Sequence, residues 1–140
     1  MEFILNFDHE HKLLLITMGE VVTEASALAA TAAVRTFAAA QDLRSGIADL
    51  SAVERIEVST NFIKYLAARP PAIPAGKTII LVAPRDETYG VSRMFQILRD
   101  GIGGWLHVVN SMVEAYELLG IESLNLTAPS SQSWWSAERR

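Results

Sequence analysis

Ser59, Thr60 and Asn61 stand together in the stretch "EVSTNFIK", preceded by Glu57 and followed by Lys64, just ahead of a helical pattern. Such a cluster can do two things. A side-chain oxygen at a helix start accepts a hydrogen bond from a backbone N–H that has no helical partner, a cap worth about 1 kcal/mol. The same free amides, with the helix dipole, also attract an anion or an acidic group of a partner. Glu54 and Glu57 lie beside the cluster and oppose an anion. Tyr89 and Arg93 are four apart and share a helix face. Arg93 either holds a carboxylate or phosphate bidentately or pairs with Asp86, Glu87 or Asp100.

His9 and His11 flank Glu10. On an extended strand residues i and i+2 face the same way, so two imidazoles could meet one metal ion. The sequence offers no evident third ligand, and no metal site is expected. The chain has no cysteine, which excludes disulfides, thiol catalysis and thiolate metal sites. No Ser-His-Asp order and no paired-carboxylate motif stands out. "GIGG" at 101–104 follows a helix and precedes a strand, the reverse of a phosphate-binding loop, and reads as a turn. No enzyme activity and no cofactor are expected.

These residues need a scaffold, and 140 residues suffice for one domain with a real core. Half the residues are hydrophobic and 20% are charged, an ordinary globular balance. A net charge of -4 argues against non-specific nucleic-acid binding. "MEFILNFDHEHK" does not read as a signal peptide, and no apolar run approaches the roughly 20 residues of a membrane span. A cytoplasmic location is the expectation.

"EFILNF" and "LLLITM" read as strands joined by the polar turn "DHEHK", too short a link for a crossover, so they form an antiparallel hairpin. Thr23 caps "EASALAATAAVRTFAAAQ", whose Ala30, Ala33, Val34, Phe37 and Ala38 make a narrow helical stripe. "SGIADLS" is a short strand and "STNFIKYLAAR" a helix; "PPAIPAG" breaks it. "KTIILVAP" is a buried strand. The next helix places Val91, Met94, Phe95, Leu98 and Ile102 on one face. "WLHVV" is a last strand, and Asn110 caps a helix that Gly120 ends. The order β-β-α-β-α-β-α-β-α predicts an α/β fold with a mixed, mostly parallel five-stranded sheet flanked by helices. Residues 1–121 form the domain and 122–140 a tail, whose Trp134 and Trp135 are candidate docking or oligomer contacts.

Three stretches resemble a known family. "ITMGEVVTEASAL" and "ADLSAVERIEVST" resemble the STAS domain, and "VAPRDETYGVSRMFQIL" resembles its SpoIIAA-like (STAS/SEC14) group of small bacterial proteins, through Tyr89, Gly90, Arg93, Met94 and Phe95. The resemblance covers residues 1 to about 121. It implies a single sheet flanked by helices and no established chemistry. In the family's anti-sigma factor antagonists a serine after the acidic residue accepts phosphate, and a second acidic residue supports it. Here the matching positions are Val58 and Val22. Valine carries no nucleophile, so phosphotransfer at the family's position is excluded, while Ser59 and Thr60 stay open as acceptors.

Two functions follow as expectations. One is a non-enzymatic regulatory module that binds a protein partner in bacterial signalling through Glu57, Ser59, Thr60, Asn61, Lys64, Tyr89 and Arg93. The other is a carrier or sensor of a small amphipathic or lipid-like ligand, in a pocket lined by Phe62, Tyr65, Met94 and Phe95. A homodimer is plausible because isologous pairing is the commonest assembly.

Overall fold

A computed structural model describes residues 2–74, 76–100, 105–124 and 126–127. Strands β1 (Phe3–Asp8) and β2 (Leu13–Met18) form the expected hairpin, with Phe3 opposite Met18 and Asp8 opposite Leu13. β2 then pairs in parallel with β4 (Ser45–Asp49), β4 with β6 (Thr78–Val82), and β6 with β7 (Leu106–Val109). The result is an α/β fold with a mixed five-stranded sheet in the order β7-β6-β4-β2-β1. β8 (Leu126–Thr127) adds two residues antiparallel to β1, so the segment after residue 121 contributes to the sheet edge. Trp134 and Trp135, the "GIGG" turn and Ile102 lie outside the described residues.

A further pairing leaves no pattern in the sequence. β3 (Val21–Thr23) and β5 (Arg55–Glu57) pair in parallel as a separate ribbon, Val22 opposite Ile56. Each is three residues long, too short for a period-two pattern to register.

Helix α1 (Glu24–Ala40) begins as its sequence dictates. The Thr23 Oγ1 accepts from the Ser26 N–H at 3.0 Å, and the Ser26 Oγ accepts from the Thr23 N–H at 2.9 Å, a reciprocal cap with serine in the usual glutamate place. Ala30, Ala33 and Phe37 are buried on the predicted stripe. Helix α2 (Thr60–Ala68) is capped by Ser59. Helix α3 (Asp86–Asp100) departs from prediction: Leu98 is 44% exposed, while Thr88 and Ser92 are buried. Thr88 meets its polar demand locally, its Oγ1 donating to the Arg85 carbonyl at 3.0 Å. Helix α4 (Met112–Leu119) is capped by Ser111, not Asn110: the Ser111 side chain accepts from the Glu114 N–H. Gly120 ends it with φ of 71°, the left-handed conformation glycine takes without strain.

The sheet separates two cores. On one side Leu13, Leu15, Ile80, Val82 and Val109 pack with Ala115, Met112 and Leu119 of α4. On the other, Leu5, Phe7, Leu14, Ile16 and Met18 pack with Ala30, Ala33 and Phe37 of α1. α2 packs against α3, and α3 against β7. No described helix is long and apolar enough to cross a membrane.

Candidate functional site

The helix start at residues 57–61 bonds the protein's own groups at several points. The Ser59 Oγ accepts from the Phe62 N–H at 3.0 Å. The Ser59 N–H donates to Glu24 Oε2 at 3.1 Å, across from the first turn of α1. The Ile56 N–H donates to Glu87 Oε1 at 3.1 Å, from the first turn of α3. Two carboxylates from neighbouring helix starts therefore hold the β5–α2 link. A bound anion would meet them directly, and like charges repel. Glu57 pairs with Arg55 at 2.9 Å on the surface. Thr60, Asn61 and Lys64 are exposed on α2.

Tyr89 is half-buried, and Arg93 is exposed. Arg93 donates to the Gln96 side chain, and Gln96 in turn donates to the Leu106 carbonyl at 2.8 Å. No ion pair joins Arg93 to Asp86 or Glu87 among the described residues; the Asp100 side chain lies outside them.

His9 and His11 part company. His9 packs edge-on against Phe7, ring centroids 4.5 Å apart. His11 turns to buried Asp8, whose carboxylate accepts from the His11 N–H at 2.9 Å and meets Nδ1 at 2.8 Å. That hydrogen bond is the main cause that raises the His11 pKa above 6.5. Asp8, Glu10 and His11 bring ligand-type atoms within 4.8 Å of one another, and the closure of the hairpin turn by Asp8 and His11 accounts for the closeness.

A cavity of about 320 Å³ lies between the sheet and α1, α2 and α3. Its floor is one face of the sheet: Leu14, Ile16 and Met18 of β2, Gly46 and Ala48 of β4, Ile79 and Leu81 of β6. Side chains alternate along a strand, so these residues share a face while Leu13, Ile80 and Val82 point the other way. Its walls are Ala27, Ala30 and Val34 of α1, Phe62, Ile63 and Leu66 of α2, and Val91 and Phe95 of α3. Residues 71–74 of the proline-rich loop close it, with Ile73 laid over Gly46. A Cβ on Gly46 would stand 2.8 Å from Ile73 Cδ1, so glycine permits this close approach.

Of the four pocket residues expected from the sequence, Phe62 and Phe95 line the cavity. Met94 is not among its lining residues, and Tyr65 is 52% exposed, its hydroxyl accepting from Arg69 at 2.9 Å. Missing from that expectation were the small lining residues, Ala27 and Ala30 on α1 and Gly46 and Ala48 on β4. Short side chains in the helix layer and in the sheet leave volume unfilled. Val22 and Val58 also line the cavity. No family model, curated protein or solved structure matches the chain.

Proposed function

We propose that this chain is a STAS-like, non-catalytic carrier or sensor of a small amphipathic ligand, held between the sheet and helices α1–α3. The observation that carries the reading is the apolar cavity of about 320 Å³, within the range of small-molecule sites. Packed interiors leave few voids larger than a water molecule. A half-open space with aliphatic and aromatic walls leaves hydrocarbon surface against water, and an apolar occupant would cover it. The two valines fit the same reading. By resemblance to the STAS pattern, Val22 and Val58 replace an acidic residue and a phosphoacceptor serine, and both face the cavity. An apolar wall there suits a hydrocarbon ligand and excludes phosphoryl chemistry at that position.

A second role is compatible with the first. α2 lines the cavity with Phe62, Ile63 and Leu66 and exposes Thr60, Asn61 and Lys64 on its outer side. A ligand that shifts α2 would change the face offered to a protein partner, which is how a sensor reports occupancy.

Native mass spectrometry of the protein taken gently from its expression host tests the reading. The expected result is a mass above that of the chain, released by organic extraction. An unliganded mass, together with no uptake of a neutral hydrophobic dye such as Nile red, would contradict it.

A further inference from the structure

The cavity has two unlike ends, and they give its occupant a direction. α3 runs back along the sheet after β6, so its C-terminal end lies where β4, β6 and β7 begin. At that end the lining includes Lys77, just ahead of β6, Arg99 in the last turn of α3, and Trp105, just ahead of β7. At the other end, where the strands finish, the lining is Val22, Ile56, Val58 and Val91.

Lys77 and Arg99 are the charged residues among the described lining, and both are cationic in a chain of net charge -4. Arg99 is held in place: its Nε donates to the Ala67 carbonyl at 3.0 Å and its Nη2 to the Leu66 carbonyl at 2.9 Å. Its guanidinium also lies 5.0 Å from the Phe95 ring centroid. These bonds hold the Arg99 side chain at the rim. Lys77 is half-buried and takes part in none of the described ion pairs. A cation at the edge of a low-dielectric pocket attracts an anion far more strongly than one in open water.

We infer that the occupant is a single-chain amphiphile with an anionic head group, its tail toward Val22 and Val58 and its head at Lys77, at the end of the cavity that Arg99 also lines. The inference rests on the carrier reading above and adds the ligand class. The cavity volume of about 320 Å³ is at the small end of ligand sites and suits a short chain. Carboxylate and phosphate heads share the required charge.

Four ten-carbon probes, each below its micelle concentration, would displace Nile red from the full chain: decanoate, monodecyl phosphate, decanol and decyltrimethylammonium. We expect the two anions to act at concentrations at least tenfold lower than the neutral and cationic probes, and the tighter anion to name the head group. Lys77→Glu removes the preference, and Lys77→Arg keeps it. Equal potency of all four probes overturns the head-group assignment while leaving the carrier reading intact. A preference that survives Lys77→Glu overturns the placement of the head. Failure of the dye and of every probe to bind overturns both the inference and the reading beneath it.

Discussion

Glu24 accepts the backbone N–H of Ser59 at 3.1 Å, across 35 residues of sequence. The contact joins the start of α1 to the start of α2, and the Glu87–Ile56 bond joins the same link to α3. The region that reads in the sequence as a helix cap or an anion or partner site includes a structural junction. Its carboxylates occupy the Ser59 and Ile56 N–H groups and would repel an external anion, and the link they hold carries the cavity-lining Ile56 and Val58.

Glu24→Gln weakens that junction. Hydrogen bonds to charged groups contribute about 1.5–3 kcal/mol when sheltered and less when exposed, so a loss of about 1 kcal/mol is expected from urea denaturation. Amide exchange at Ser59 should quicken in the variant. Unchanged exchange at Ser59 would show that the bond does not hold in solution.

Ser59→Ala removes the cap of α2 and should cost about 1 kcal/mol. Thr60→Ala and Asn61→Ala, at exposed positions, should fall within about 0.5 kcal/mol of the parent. Thermal melts of the three variants check the order. Equal losses at all three would contradict the assignment of Ser59 as the cap.

Much of this architecture was legible. The hairpin, the buried runs of β2 and β6, and the Thr23, Ser59 and Gly120 caps follow from local chemistry that a sequence displays directly. The β3–β5 ribbon was not legible, because three residues per strand carry no period. The buried face of α3 misled for a different reason. Thr88 is polar but bonds its own turn, so it goes inside while apolar Leu98 stays out. The cavity escaped because it belongs to no element. It arises only when α1, α2, α3 and the 71–74 loop meet over the sheet with Ala27, Ala30, Gly46 and Ala48 among the lining, and spacing along a chain does not show which small residues will share one space. Tyr65 failed as a pocket residue because Phe62, Ile63 and Leu66 occupy the inward side of α2.

Ala27→Leu should fill part of the cavity with a good helix former. Cavity filling commonly adds about 0.5–2 kcal/mol, so the variant should be as stable as the parent or more so. Its Nile red uptake should fall at least tenfold. Full dye uptake by a folded variant would place the dye elsewhere.

Val58→Ser puts a hydroxyl into an apolar wall and removes methyl groups from it. A loss of about 1–2 kcal/mol is expected from the area and polarity terms together, along with weaker dye uptake. Calorimetry and the dye titration check the two effects separately. A neutral outcome in both would mean that Val58 does not form part of the wall.

His11 gives a dependence on pH. Its hydrogen bond to Asp8 raises its pKa in the folded chain above 6.5. The protonated ring is the form that the fold favours, so its contribution is fully present below about 6.5 and is lost as pH rises through the folded value. NMR titration should find the His11 midpoint above 6.5, and Asp8→Asn should lower it. The stability difference between parent and His11→Ala should shrink from pH 6 toward pH 9, and a difference that grows over that range would reverse the assignment.

The most direct test of a ligand-binding cavity is methyl NMR during titration with decanoate. The account predicts that Val58, Ile73 and Leu81, which line the cavity, shift together and saturate, while Leu13, Ile80 and Val82 on the opposite face of the sheet stay still. Shifts confined to the α4 side, or none at all short of micelle formation, would contradict it.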